Sequence, residues 1–164
     1  MFEKIKTFIK KSIPEIAFAA ISLLIGTLSA LLTKNNMQIY EQIKVPPLAP
    51  PAWLFPIAWG ILYILMGIGA GMIFKKRYTK PADATTALKL FFIQLGVNFF
   101  WSIIFFNFRA FWFSLAVLVA LCILVISMIL QFYKVKPTSA YLQIPYALWI
   151  LFATYLNLAI AILN

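Results

Sequence analysis

The stretch AFWFSLAVLVALCILVISMILQFY, residues 110–133, carries no charged residue. A run longer than about 18 apolar residues is what a helix needs to cross the hydrocarbon of a bilayer. Outward from it, four further runs of this kind appear, at 16–32, 53–74, 88–106 and 140–163. In lipid the backbone has no water to bond to, so each run must satisfy its own hydrogen bonds as a helix. Barrel strands would be about 10 residues long with alternating polarity, and that pattern is absent. The expectation is an all-α, integral membrane five-transmembrane-helix bundle occupying residues 1–164 as one domain.

Composition agrees. The chain is 64% hydrophobic and 11% charged, with a mean hydropathy of +0.96. A soluble domain carries about 25% charged residues, so polar side chains are too few to coat a globule. Disorder is excluded for the same reason. There are 14 Lys+Arg against 4 Asp+Glu, a formal charge of +10. These cations flank the apolar runs instead of lining a face, which points to topology and anionic headgroups and not to nucleic acid. Lys4, Lys6, Lys10, Lys11, Lys75, Lys76, Arg77, Lys80, Lys89, Lys134 and Lys136 fall on one side of the five-span scheme. Only Lys34, Lys44 and Arg109 fall on the other. The positive-inside rule then puts the N-terminus inside and the C-terminus outside. Residues 1–32 also resemble a signal peptide, but the apolar part is long for one and reads as the first span. Cys122 is the single cysteine and there is no histidine. An internal disulfide, a zinc site and a His-based triad are thereby excluded.

The connectors differ in kind. The loop 33–52 contains Pro46, Pro47, Pro50 and Pro51, and is expected to be extended and stiff. Lys75–Ala87 reads as a basic loop, Asn107–Arg109 as a tight hairpin, and Lys134–Ser139 as a short link.

Polar residues inside spans are costly, and function is sought there first. Gln94, Asn98, Trp101 and Phe105 share one helical stripe, as do Pro56, Trp59, Tyr63 and Gly67. In the last span Pro145, Trp149, Ala153 and Leu156 share a face, with Asn157 beside it. At about 1.5 Å per residue, Trp59, Trp101, Asn98 and Asn157 lie roughly 8–12 Å below the outer end and Trp149 about 20 Å below it. This predicts an aromatic-walled pocket in the outer half, under a proline-rich lid. Packing explains the same residues. Interface anchoring suffices for Trp53 and Trp112, and carboxamides glue helices at roughly 0.6–2 kcal/mol per bond. Periodicity alone leaves both readings open; the common depth of Trp59, Trp101 and Asn98 favours the pocket. Gly67 and Gly71 form a G-x-x-x-G, read as intrachain packing in preference to a dimer seam.

Catalysis finds little support. The spans hold no acid apart from Glu15 at the first helix start, no nucleophile paired with a base, and no nucleotide loop. What remains is binding or passive movement of a large, flat or apolar molecule.

Three ordered segments carry a family resemblance. They are Pro50-Pro51 with Pro56-Ile57-Ala58-Trp59-Gly60-Ile61-Leu62-Tyr63 and Met66-Gly67; Gln94-Leu95 with Asn98, Trp101 and Phe105-Phe106 through Arg109; and Pro145-Tyr146 with Trp149, Phe152-Ala153 and Leu156-Asn157. The chain resembles the TspO/MBR family of tryptophan-rich sensory proteins and mitochondrial translocator (peripheral benzodiazepine receptor) proteins. The resemblance implies a single membrane domain, often a homodimer, with a lid-capped cavity. It implies a receptor or sensor for porphyrins such as protoporphyrin IX or haem, and for benzodiazepine-site compounds, with porphyrin as ligand and no cofactor required. Carried over by position, the ligand-binding residues are Tyr40, Trp59, Tyr63, Asn98, Trp101, Trp149, Ala153 and Leu156. Trp53 is added as a replacement for lid tryptophans missing at Ile39 and Leu48. Alternatives are transport of tetrapyrroles or lipids, and porphyrin breakdown involving Trp59 and Trp149. An Asp common in the fourth helix is replaced by Ala116. The sterol pattern that follows the Asn157 position is missing, so sterol ranks behind tetrapyrrole. The expected location is a bacterial cell membrane.

Overall fold

A computed structural model describes the backbone of residues 2–164 and the side chains of residues 12–39 and 42–164. The elements in order are α1 (Phe2–Thr33), α2 (Ile39–Gln42), α3 (Leu54–Phe74), α4 (Pro81–Phe106), α5 (Phe111–Val135), α6 (Pro137–Tyr141) and α7 (Ile144–Leu163). No strand occurs among the described residues. Among the described residues, five stretches are long and apolar enough to cross a membrane: Ser12–Thr33, Leu54–Phe74, Pro81–Phe106, Phe111–Val135 and Pro137–Leu163. The five-span, all-α reading therefore holds.

Three boundaries need correction. The third span begins at Pro81, not at 88, so the basic loop ends at Lys80. Hydropathy missed these first two turns because they are polar. The local signals were present: Pro81 at the first helical position, where its missing N–H costs nothing, and Asp83 in the first turn facing the helix dipole. The loop 33–52 is not extended throughout, since its first half folds into α2 with Ile39 buried. Extended backbone begins only near the prolines. There Leu48 adopts a left-handed φ of 70° with its side chain 83% exposed. The link 134–139 is largely helical, as α5 runs to Val135 and α6 follows directly. The Asn107–Arg109 hairpin is confirmed, with Arg109 at a φ of 52°.

α1 lies along α3 through the glycine pair. A methyl group at Gly67 would stand 2.3 Å from the Ala19 backbone, and one at Gly71 would stand 2.4 Å from Glu15 Cα. The two helices thus touch backbone to backbone, the use of small residues that membrane helices favour. The G-x-x-x-G is consumed inside the chain. Just beyond it, Lys75 of the following turn forms an ion pair with Glu15. α4 packs on α5, and α5 on α7, around Phe91, Leu95, Leu118, Leu121, Phe132 and Tyr146, all fully buried. Polar ties run through this core. The Tyr146 hydroxyl donates to Gln94 Oε1 at 2.7 Å.

α7 starts halfway along α3. Gln143, just before it, reaches Leu65 O with Nε2 at 3.5 Å, and its Nε2 would collide with a methyl group placed on Gly69. α6 and the turn after it occupy the rest of that span. α7 is unbroken from Ile144 to Leu163, so Trp149 does lie about 20 Å along it from its outer end. Its ring is nonetheless only 6.4 Å from that of Trp59, because α7 runs further outward than α3. The expectation that Trp149 lies deeper than Trp59 is thereby corrected.

Candidate functional site

A cavity of about 290 Å³ opens among α1, α3, α4 and α7. Met37 and Ala52 of the loop also line it. The wall is largely apolar and aromatic, with Thr27, Ser29, Thr33, Ser102 and Asn157 among its residues. Trp59 stands at its centre, with ring centroids 5.6 Å from Tyr63, 6.4 Å from Trp101, 6.2 Å from Tyr146 and 6.4 Å from Trp149. These are tilted or edge-to-face arrangements, the favourable ones for aromatic quadrupoles. Trp101 extends the aromatic wall to Phe105 at 5.8 Å.

The polar groups are spent mostly on positioning these rings. Trp101 Nε1 donates to Asn157 Oδ1 at 3.2 Å, and Ser114 Oγ donates to the same oxygen at 3.0 Å. Asn157 Nδ2 in turn donates to Phe111 O at 2.9 Å. One carboxamide on α7 therefore ties α4 and α5 and fixes the Trp101 plane. Asn98 Nδ2 donates to the Tyr63 hydroxyl at 3.1 Å, while Asn98 Oδ1 is buried without a partner. The Tyr63 hydroxyl keeps its own proton free for another acceptor.

The residues singled out from sequence divide into three groups. Trp59, Tyr63, Trp101, Ala153 and Leu156 line the cavity together. Asn98 and Trp149 stand one layer behind, Asn98 holding Tyr63 and Trp149 edge-on to Trp59 at 86°. Trp53 is 65% exposed just before α3 and is not part of the wall. The Tyr40 side chain lies outside the described residues. The rings of three spans converge because α3, α4 and α7 each turn their stripe inward: Gln94, Asn98, Trp101 and Phe105 are all buried.

Sequence reasoning missed the α1 wall. Gly26, Ser29, Ala30 and Thr33 face the cavity. The signal existed, since Ser22, Gly26, Ser29 and Thr33 recur at helical spacing in an otherwise Leu/Ile-rich run, and all four are buried. Gly26 has a specific task. A methyl group there would fall 2.1 Å from the Tyr63 ring, so its bareness is what seats Tyr63 against α1.

The lid is fastened at three points. Asn164 Oδ1 accepts from Lys44 N, and its Nδ2 donates to Lys44 O, both at 3.0 Å. The Tyr155 hydroxyl donates to Pro47 O at 2.8 Å. Asn36 donates to Asn107 Oδ1 at 2.9 Å, tying the start of the loop to the α4–α5 hairpin. Among the described residues, no three His, Cys, Asp or Glu side chains gather as metal ligands would.

The family model described as TspO/MBR matches residues 18–163. The chain is 38% identical over 143 residues to the tryptophan-rich protein TspO of Archaeoglobus fulgidus, covering 87% of this chain and 91% of that one. It is 32% identical over 146 residues to the translocator protein of Bos taurus, covering 88% and 86%. It is 30% identical over 139 residues to the tryptophan-rich sensory protein of Cereibacter sphaeroides, covering 85% and 84%.

Proposed function

The chain belongs to the TspO/MBR family, and from that premise we propose that it is a membrane receptor that binds tetrapyrroles in the cavity centred on Trp59. It is an integral membrane protein, and its relatives, named sensory and translocator proteins, support a membrane sensor or transporter role. The observation that carries the finer reading is the aromatic wall. Four rings on three helices pack around Trp59 within 6.4 Å, and Trp59, Tyr63 and Trp101 face the cavity. A flat conjugated ring system gains both area burial and offset stacking against such a wall. Benzodiazepine-site compounds share the flat aromatic chemistry. Polar anchoring comes from Tyr63, whose hydroxyl proton is free to reach a ring nitrogen or carboxylate. Asn98 acts through Tyr63. We assign the protein to a bacterial cell membrane, with the lysine-rich end toward the cytoplasm by the positive-inside rule.

Titration of purified protein with protoporphyrin IX tests this by Soret shift and tryptophan quenching. Saturable binding is expected, one ligand per chain. Asn98→Ala should weaken it about 3–10-fold, the effect of losing one hydrogen bond of roughly 1 kcal/mol that positions Tyr63. Trp112→Phe, at an exposed site away from the wall, should leave it unchanged. Absence of saturation, or equal loss in both variants, would remove the pocket assignment.

Size makes a second expectation. About 290 Å³ is at the low end for ligand pockets, roughly 300–1,000 Å³. A macrocycle would fill the cavity with its edge beneath the lid, so the lid must yield during entry. Asn164→Ala with Tyr155→Phe removes three exposed lid bonds. Stopped-flow measurement should show association and dissociation both faster by about 3–10-fold, for a loss of roughly 1 kcal/mol from the closed lid, with Kd little altered. Unchanged rates would mean that the ligand enters elsewhere.

A further inference from the structure

A second groove lies at the lysine-rich end, remote from the lid. Phe74 and Arg77 form one side, from the end of α3 and the turn after it. Thr85, Lys89, Phe92 and Ile93 form the other, from the first half of α4. The α4 residues fall at i, i+4, i+7 and i+8, a single stripe. The stripe is polar at the helix start and apolar below.

The groove carries uncompensated positive charge. The Arg77 guanidinium lies 3.9 Å from the Phe74 ring centroid and 4.2 Å from that of Tyr78. Its Nη1 donates to Phe74 O and its Nη2 to the Tyr78 hydroxyl, both at 3.0 Å. These contacts hold the cation in place without neutralising it. Lys89 has no acidic partner among the described residues. Glu15 is paired with Lys75, and Asp83, which keeps its charge, is turned to the Gln131 amide on α5 and pairs with neither groove cation. Below the cations, Phe92 and Ile93 are 46% and 51% exposed and wholly apolar. The groove thus has the held Arg77 cation, the exposed Lys89 and a hydroxyl at its head, with Phe92 and Ile93 below them on the outside of α4.

We propose that this groove holds one anionic phospholipid, its phosphate between Arg77 and Lys89 and one acyl chain along Phe92 and Ile93. Charge complementarity selects an anion. The exposed apolar pair Phe92 and Ile93 selects a lipid over a free phosphate, because inorganic phosphate has nothing to place against it. The cations sit at the end where anionic headgroups meet the helices, and Lys89 reaches the headgroup level by extending its apolar stem along the helix. This site is separate from the tetrapyrrole cavity and does not depend on the proposal made for it.

Native mass spectrometry of the full chain in detergent tests the site. The probes are dioleoyl-phosphatidylglycerol, dioleoyl-phosphatidylcholine and inorganic phosphate. Phosphatidylglycerol should be retained at one per chain, at least fivefold more tightly than phosphatidylcholine. Arg77→Gln with Lys89→Gln should abolish that preference while leaving protoporphyrin binding and thermal stability unchanged. Phe92→Ala with Ile93→Ala should weaken both lipids by a similar factor. Equal retention of the two lipids by the unaltered protein, a preference that survives the double Gln variant, or full displacement by millimolar phosphate would overturn the proposal. So would loss of a dimer in the Gln variant with no lipid bound to the parent, since the groove would then belong to a second copy.

Discussion

Gly67→Val is expected to strip most of the folded protein from detergent extracts. What survives should be less stable by about 3 kcal/mol or more, at or beyond the usual upper end for overpacking. The reason is the kind of atom that would be struck. An added Cβ would stand 2.3 Å from Ala19 Cα and Ala19 N, and 2.5 Å from the Phe18 carbonyl carbon. Backbone cannot rotate aside as a side chain does, so α1 and α3 must separate along their length. Separation would also break the Glu15–Lys75 ion pair and move Gly26 off Tyr63. Gly96→Ala is the control. Nothing lies within 4 Å of a methyl group at Gly96, so that change should be neutral or stabilising by up to about 1 kcal/mol of helix propensity. Size-exclusion profiles and SDS-unfolding titrations read both. If the two variants behave alike, α1 and α3 do not meet through this seam.

Trp59→Ala is expected to weaken protoporphyrin IX binding by about 10–100-fold, or roughly 1.4–2.7 kcal/mol. That range is a large aromatic surface lost from a wall plus a stacking contribution of about 0.5–1.5 kcal/mol. The effect exceeds that of any neighbour because Trp59 is the ring that the others surround. Tyr63, Trp101, Tyr146 and Trp149 all pack on it, and its removal enlarges the cavity while loosening four rings. Trp149→Ala should cost less, since Trp149 meets Trp59 edge-on from behind and does not line the cavity. Soret-band titration is the safer readout, as the substitution removes a fluorophore. A Trp149→Ala loss equal to or larger than the Trp59→Ala loss would mean that the ligand lies on the other side of the Trp59 ring.

The number of spans was legible because solvent leaves little choice: a run such as Ala110–Tyr133 can only be a helix in lipid. The inward stripes of α3 and α4 were legible from periodicity. The start of α4 was not, because a hydropathy reading is blind to helix that projects past the hydrocarbon; Pro81 and Asp83 carried that information instead. Trp149 was misplaced relative to Trp59 because each depth was counted from its own helix end, and the outer ends of α3 and α7 are not level. The α1 wall escaped notice because its members are small. Gly26 and Ser29 contribute space, and space leaves no chemical signature in a residue list. Asn98 and Asn157 were flagged as polar residues in the membrane, but only coordinates reveal that one holds a tyrosine and the other a tryptophan. The G-x-x-x-G was read correctly as intrachain.

The order in which the walls are made has a consequence for biosynthesis. A ribosome delivers α1 and α3 consecutively, so the hairpin through Gly67 and Gly71 is available early, with the lid segment strung between its arms. The fasteners supplied from the end of the chain, Tyr155 for Pro47, Asn157 for Trp101 and Asn164 for Lys44, emerge last. A nascent chain halted before residue 155 has three sides of the chamber, a cover tied only through Asn36 and Asn107 and an unrestrained indole, so the lid and the Trp101 plane are fixed only with completion of the fifth crossing.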